Sequence, residues 1–189
     1  MKQHLYNRTF GIAHIRGFAS RAPIFQMMQS LAIKWTIWRY LDVAKLVELE
    51  VEIVNPPTSE YGSTCTAAKM LAGEKAWVTK KMPPHQAESV VLGVAAGSRV
   101  TSIDVASLCS QSERQMCVEE VAVDGTVGAT LVAWKHYGTH SGGYKPSNYT
   151  PATIAVETTA IRFKVSVRHT HRFNFNAGLT IFRATGVAP

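Results

Sequence analysis

The stretch from Thr159 to Phe175, T-A-I-R-F-K-V-S-V-R-H-T-H-R-F-N-F, alternates between apolar and polar residues with a period of two. Side chains of an extended strand point to opposite faces in turn. Ile161, Phe163, Val165, Val167, His169, His171, Phe173 and Phe175 therefore share one face, and Arg162, Lys164, Ser166, Arg168, Thr170, Arg172 and Asn174 the other. A chain containing this segment has to bury one side of a sheet and turn a basic side outward. The run is long for one strand, so a bend or bulge is expected near Arg168 to Thr170.

Leu46 to Val54 repeats the pattern with opposite charge: Val47, Leu49, Val51 and Ile53 alternate with Glu48, Glu50 and Glu52, and Asn55-Pro56-Pro57 ends the run. Placing both apolar faces on one core leaves the acidic and basic faces on the same side. The two strands are thus expected to be sheet neighbours, paired through Arg162, Lys164 and Arg168. Between them, Ala76 to Met82, Ser89 to Ala95, Val100 to Leu108, Met116 to Val123, Thr126 to Lys135, Ala152 to Thr158 and Leu179 to Thr185 read as short strands. Asp124-Gly125 is a type I′ hairpin signal, and Cys65 to Leu71 fits a short helix or a strand. Eight or nine strands at this spacing predict a mainly β fold, an antiparallel β-sandwich or barrel over residues 46–189, preceded by one N-terminal α-helix.

That helix is read from Pro23 to about Lys45, within a segment of residues 19–45. Its circumference is largely apolar, but Gln26, Gln29, Lys34, Arg39 and Asp42 interrupt it too often for a bilayer span. Trp35, Trp38, Arg39 and Tyr40 are its candidate partner contacts, against protein or anionic lipid. Residues 1–18 read as a mitochondrial targeting presequence: the leader is basic and acid-free, and Arg16-Gly17-Phe18-Ala19-Ser20 resembles a matrix-protease cleavage pattern, with the cut after Phe18.

The formal charge of +7 is uneven. Six Lys or Arg and no acid lie between Met1 and Leu41, whereas thirteen bases face eleven acids from Glu50 onward. The body of the chain is therefore not the dense basic surface of a protein dedicated to phosphate neutralisation. Cys65, Cys109 and Cys117 have neither paired spacing nor a C-x-x-C, which fits a reducing compartment.

Few residues ask for chemistry. His169 and His171, two apart on a strand, are metal-ligand candidates only if joined by His136, His140 or His85, and no metal site is assigned. Nucleophile-elbow, phosphate-loop and dinucleotide patterns are absent, so no cofactor and no enzymatic activity are expected. The segment from His136 to Pro151 is the longest without periodicity; its Tyr137, Tyr144 and Tyr149 are partner-contact candidates, as are Arg168 and Arg172.

Together these features predict a non-catalytic accessory subunit of a large mitochondrial assembly, on the matrix side or peripheral to the inner membrane. A respiratory-chain or ATP synthase complex is the first expectation, with other protein subunits as partners. A mitochondrial ribosomal or other RNA-binding protein using strand 161–175 is the alternative, and a small metal-dependent matrix enzyme the third reading.

Overall fold

The computed structural model describes residues 45–109 and 113–189. They form an antiparallel β-sandwich. One sheet has the order β1 (Val47–Leu49), β12 (Gly178–Val187), β5 (Arg99–Ser107), β10 (Ala152–Thr158), with β3 (Trp77–Val78) added alongside β12. The other has the order β2 (Glu52–Asn55), β4 (Ala87–Gly93), β11 (Arg162–His169), β6 (Arg114–Val121), β7 (Val127–Lys135). The two sheets are separate, so the architecture is a sandwich rather than a closed barrel. The helix expected at 23–45, with Trp35, Trp38, Arg39 and Tyr40, lies outside the described residues, as does the leader.

The core follows from the alternation. Phe163, Val165, Val167 and His169 of β11 are buried, and the register sets Val165 opposite Val90 on one side and Val118 on the other. Ile103, Val105, Leu179 and Ala184 of the first sheet join Val90, Leu92, Phe163 and Val165 of the second in one cluster. The period-two signal in β11 is legible because buried Phe163, Val165, Val167 and His169 alternate with the half-buried Arg162, Lys164 and Arg168. As expected, the alternation breaks near Thr170: β11 ends at His169, and Phe175 makes a separate bridge to Met82.

Leu46 to Val54 is two strands, not one. Val47–Leu49 pairs with β12, and Glu52–Asn55 pairs with β4, so the chain passes from one sheet to the other at Glu50 and Val51. The apolar period survives the crossing because Leu49, Val51 and Ile53 all face the same inter-sheet core. The expected pairing of acidic and basic strands is consequently not made. β4 lies between β2 and β11, Glu48 pairs with Arg183 (3.8 Å), and Lys164 pairs with Glu119 (3.8 Å) on the adjacent β6. Arg162 donates to the Val123 carbonyl, and Arg168 donates to Gln115 while stacking over Trp134 at 4.2 Å. β4 and β6, both far from β11 in sequence, occupy its two edges, and the charge complementarity of an acidic neighbour, worth about 0.2–1 kcal/mol per pair, is too small to select the strand order.

Two local expectations change. The turn between β6 and β7 has positive φ only at Gly125 (+91°), with Gly125 N donating to Ala122 O and Thr126 N to the Asp124 carboxylate. It is therefore a one-glycine turn and not type I′, which needs two consecutive positive φ angles. His136 to Pro151 is ordered rather than structureless. It holds a small ladder of β8 (Thr139–His140) and β9 (Tyr149–Thr150), joined through a 3-10 turn at Pro146–Asn148. The ambiguous segment after Cys65 is a helix, α1 (Ala67–Leu71), whose Thr66 side chain caps Lys69 N.

Candidate functional site

Antiparallel connectivity brings the end of β5, the start of β6 and the β11–β12 turn to the same end of the sandwich. There a cavity of about 130 Å³ is lined by Tyr61, Cys65, Val78, Leu108, Arg114, Tyr144 and Asn176. β3, only two residues long, organises it. Val78 O accepts from Tyr61 N (2.7 Å), Val78 N donates to Cys65 O, and Ala76 N just before the strand donates to Tyr144 O (2.9 Å). Thr79, just after it, accepts from the Asn176 side chain and exchanges bonds with Ala177. Four segments distant in sequence are thus fixed to one another through main-chain groups, the preorganisation a binding site requires.

Gly178 permits this closeness. A Cβ there would sit 2.2 Å from the Trp77 carbonyl oxygen, so only glycine lets β3 lie against β12 at this position.

Each polar and aromatic group has a defined support. Glu60, beside Tyr61, accepts from Ala67 N at the start of α1. The loop bearing Tyr144 is tied down by Tyr149, whose hydroxyl donates to Gly143 O and accepts from Cys109 N; burial pushes that phenol's pKa up. Tyr61 and Tyr144 themselves are 59% and 51% exposed at the cavity rim. Arg114 is only 8% exposed. Its Nε donates to Asn176 O (3.1 Å), and its guanidinium lies over the Phe175 ring at 4.7 Å. None of the ion pairs among the described residues includes it.

The residues singled out from sequence are placed differently. Tyr144 lines the cavity; Tyr137 is half-buried with its hydroxyl donating to Ala133 O, and Tyr149 is buried. Arg172 stacks on its neighbour Phe173. The histidines are not assembled. His169 is fully buried, with Nε2 2.7 Å from Met82 O and its ring edge-on to Phe175. His171 contacts Phe173 and Phe175, His136 Nδ1 donates to Arg114 O, and His140 packs on Tyr149. Among the described residues no group of three His, Cys, Asp or Glu is placed to hold a metal ion. Sequence reading missed Tyr61, Arg114 and Asn176. Nothing local in the sequence marks Tyr61 or Arg114 as a cavity residue.

No protein-family model and no curated protein matches the sequence. Solved structures match it in fold. CBM32-3, a carbohydrate-binding module from a family 31 glycoside hydrolase from Clostridium perfringens, aligns at 12% identity over 72% of this chain and 91% of its own, with a TM-score of 0.52. Chitosan-binding module 1 from a chitosanase/glucanase of Paenibacillus sp. IK-5 aligns at 11% identity over 73% and 98%, with a TM-score of 0.50. The N-terminal domain of the single-strand break repair protein XRCC1 aligns at 19% identity over 72% and 97%, with a TM-score of 0.45. These findings correct the functional expectation. The sandwich has the fold of the two binding modules that align at TM-scores of 0.52 and 0.50, and neither the respiratory-chain or ATP synthase subunit, nor the ribosomal or other RNA-binding alternative, nor the matrix metalloenzyme is represented by these two. At such low identity the shared property is the fold.

Proposed function

We propose that residues 45–189 form a non-catalytic carbohydrate-binding module whose cavity at the β5–β6 end takes the terminal unit of a glycan. The observation that carries this reading is the pairing of two exposed tyrosines, Tyr61 and Tyr144, with a floor bearing the Arg114 guanidinium and the Asn176 amide. A sugar ring presents an apolar face suited to an aromatic surface and an edge of hydroxyls suited to fixed polar groups. The cavity, about 130 Å³, is smaller than the several hundred Å³ typical of sites that enclose a whole ligand. It therefore grips one end of a ligand while the tyrosines cover the ring above. The fold shared with CBM32-3 and with chitosan-binding module 1 supports the same class.

Calorimetric titration of the full chain with a panel of neutral, amino and acidic oligosaccharides tests the reading. Tyr61→Ala and Tyr144→Ala should each weaken a binding sugar roughly 3- to 10-fold, the effect of losing one aromatic contact, with unfolding midpoints unchanged. A panel without any binder, or binding indifferent to both substitutions, would remove the proposal.

A further inference from the structure

Among the described residues the cavity lining includes Arg114 and no carboxylate. Tyr61, Cys65, Val78, Leu108, Tyr144 and Asn176 complete the wall around Arg114. Arg114 presents five N–H donors, of which Nε is committed to the Asn176 carbonyl. Among the described residues this nearly buried cation meets a neutral carbonyl and an aromatic face but no anion, and it is incompletely compensated, because buried charges are ordinarily paired. Phe175 fixes the guanidinium plane from one side, while the Asn176 Nδ2 is held by Thr79 O at 2.6 Å. The polar end of the cavity is therefore both rigid and cationic.

We infer that the ligand carries a carboxylate, so that the module selects an acidic terminal sugar whose carboxylate is gripped by the Arg114 fork. This rests on the carbohydrate reading above and narrows it. A planar carboxylate matches the two outer guanidinium nitrogens in a parallel pair of charge-assisted hydrogen bonds. Ligand binding would thus supply the anion that the fold leaves out. A lysine at the same place would retain the charge without the paired geometry.

The test uses the unaltered full chain and two matched probes, a disaccharide ending in glucuronic acid and its carboxyl-reduced counterpart ending in glucose. The acid should bind at least about 10-fold more tightly, the effect of one charge-assisted contact, and the advantage should shrink as salt is raised. Arg114→Lys should lose most of that advantage while circular dichroism and the urea midpoint verify its fold. Equal binding of both sugars would overturn the inference and leave the carbohydrate reading standing. Failure of both, together with every neutral sugar of the panel, would overturn the two together. A glucose 6-sulfate probe that outbinds the uronate would assign the fork to a sulfate and overturn the carboxylate. Because the two-sugar comparison needs no variant, an Arg114 substitution that fails to fold leaves the test intact.

Discussion

Thr79→Val isolates the hydrogen bonds beneath the cavity. Thr79 and Ala177 are fully buried. The Thr79 hydroxyl donates to Ala177 O (3.2 Å) and accepts from Ala177 N (3.0 Å). Valine keeps the shape and removes the acceptor. Ala177 O still receives Thr79 N at 2.9 Å, so the carbonyl remains satisfied and the cost falls on the Ala177 N–H, a buried donor with nothing to bond. Leaving such a donor unsatisfied costs about 1–3 kcal/mol. Thr79→Ser keeps both bonds and removes a methyl group, at about 1 kcal/mol. Urea unfolding of the three proteins should rank wild type above serine above valine with one common m-value. In the valine variant the Ala177 amide should lose its hydrogen-exchange protection while core strands keep theirs. A valine variant as stable as wild type would refute the assignment of the hydroxyl as the clasp between the β3 segment and the β11–β12 turn.

Two further outcomes are expected. Gly178→Ala should lower the urea midpoint by more than Thr79→Val, because the new Cβ would lie 2.2 Å from Trp77 O and overpacking against backbone costs about 1–3 kcal/mol or more; equal stability would show that β3 can move away freely. The Asp124 carboxyl titrates below the ordinary aspartate range, held there first by the Thr126 N–H and then by its side chain. A depressed folded pKa means that its contribution is present above the unfolded pKa and lost as pH falls through the folded one, so the stability gap between wild type and Asp124→Ala should close on acidification, as followed by unfolding at stepped pH.

The sheets were legible because their signal is repetitive: the bounds of β10 match those expected, Ala152–Thr158, whereas the alternation of the Thr159 to Phe175 stretch overran β11, which occupies only Arg162–His169. The strand neighbours of β11 were not. Charge suggested a partner far away in sequence, but β4 and β6 occupy both of its edges. β3 lies within the expected strand Ala76 to Met82 but is only two residues long, whereas β8 and β9, also of two residues each, carry no period that a sequence could show. The cavity was illegible for a related reason. Tyr61, Arg114, Tyr144 and Asn176 come from four separate segments, and only Tyr144 lay in a stretch unusual enough to attract notice. Its hydroxyl-bearing neighbour Tyr149 looked equivalent in sequence yet serves as a buried brace.

The main-chain anchoring of Tyr61 and Tyr144 to the β3 segment has a consequence for variation. Tyr61 N, Tyr144 O and the Tyr149 hydroxyl on Gly143 O hold the two loops without using the Tyr61 and Tyr144 side chains, so those two tyrosines can be exchanged for other surfaces without renegotiating the frame. The architecture behaves as a socket with interchangeable fittings, and under the proposed function the place to redirect binding is the pair of rim positions, while Gly178 and Thr79 stay fixed.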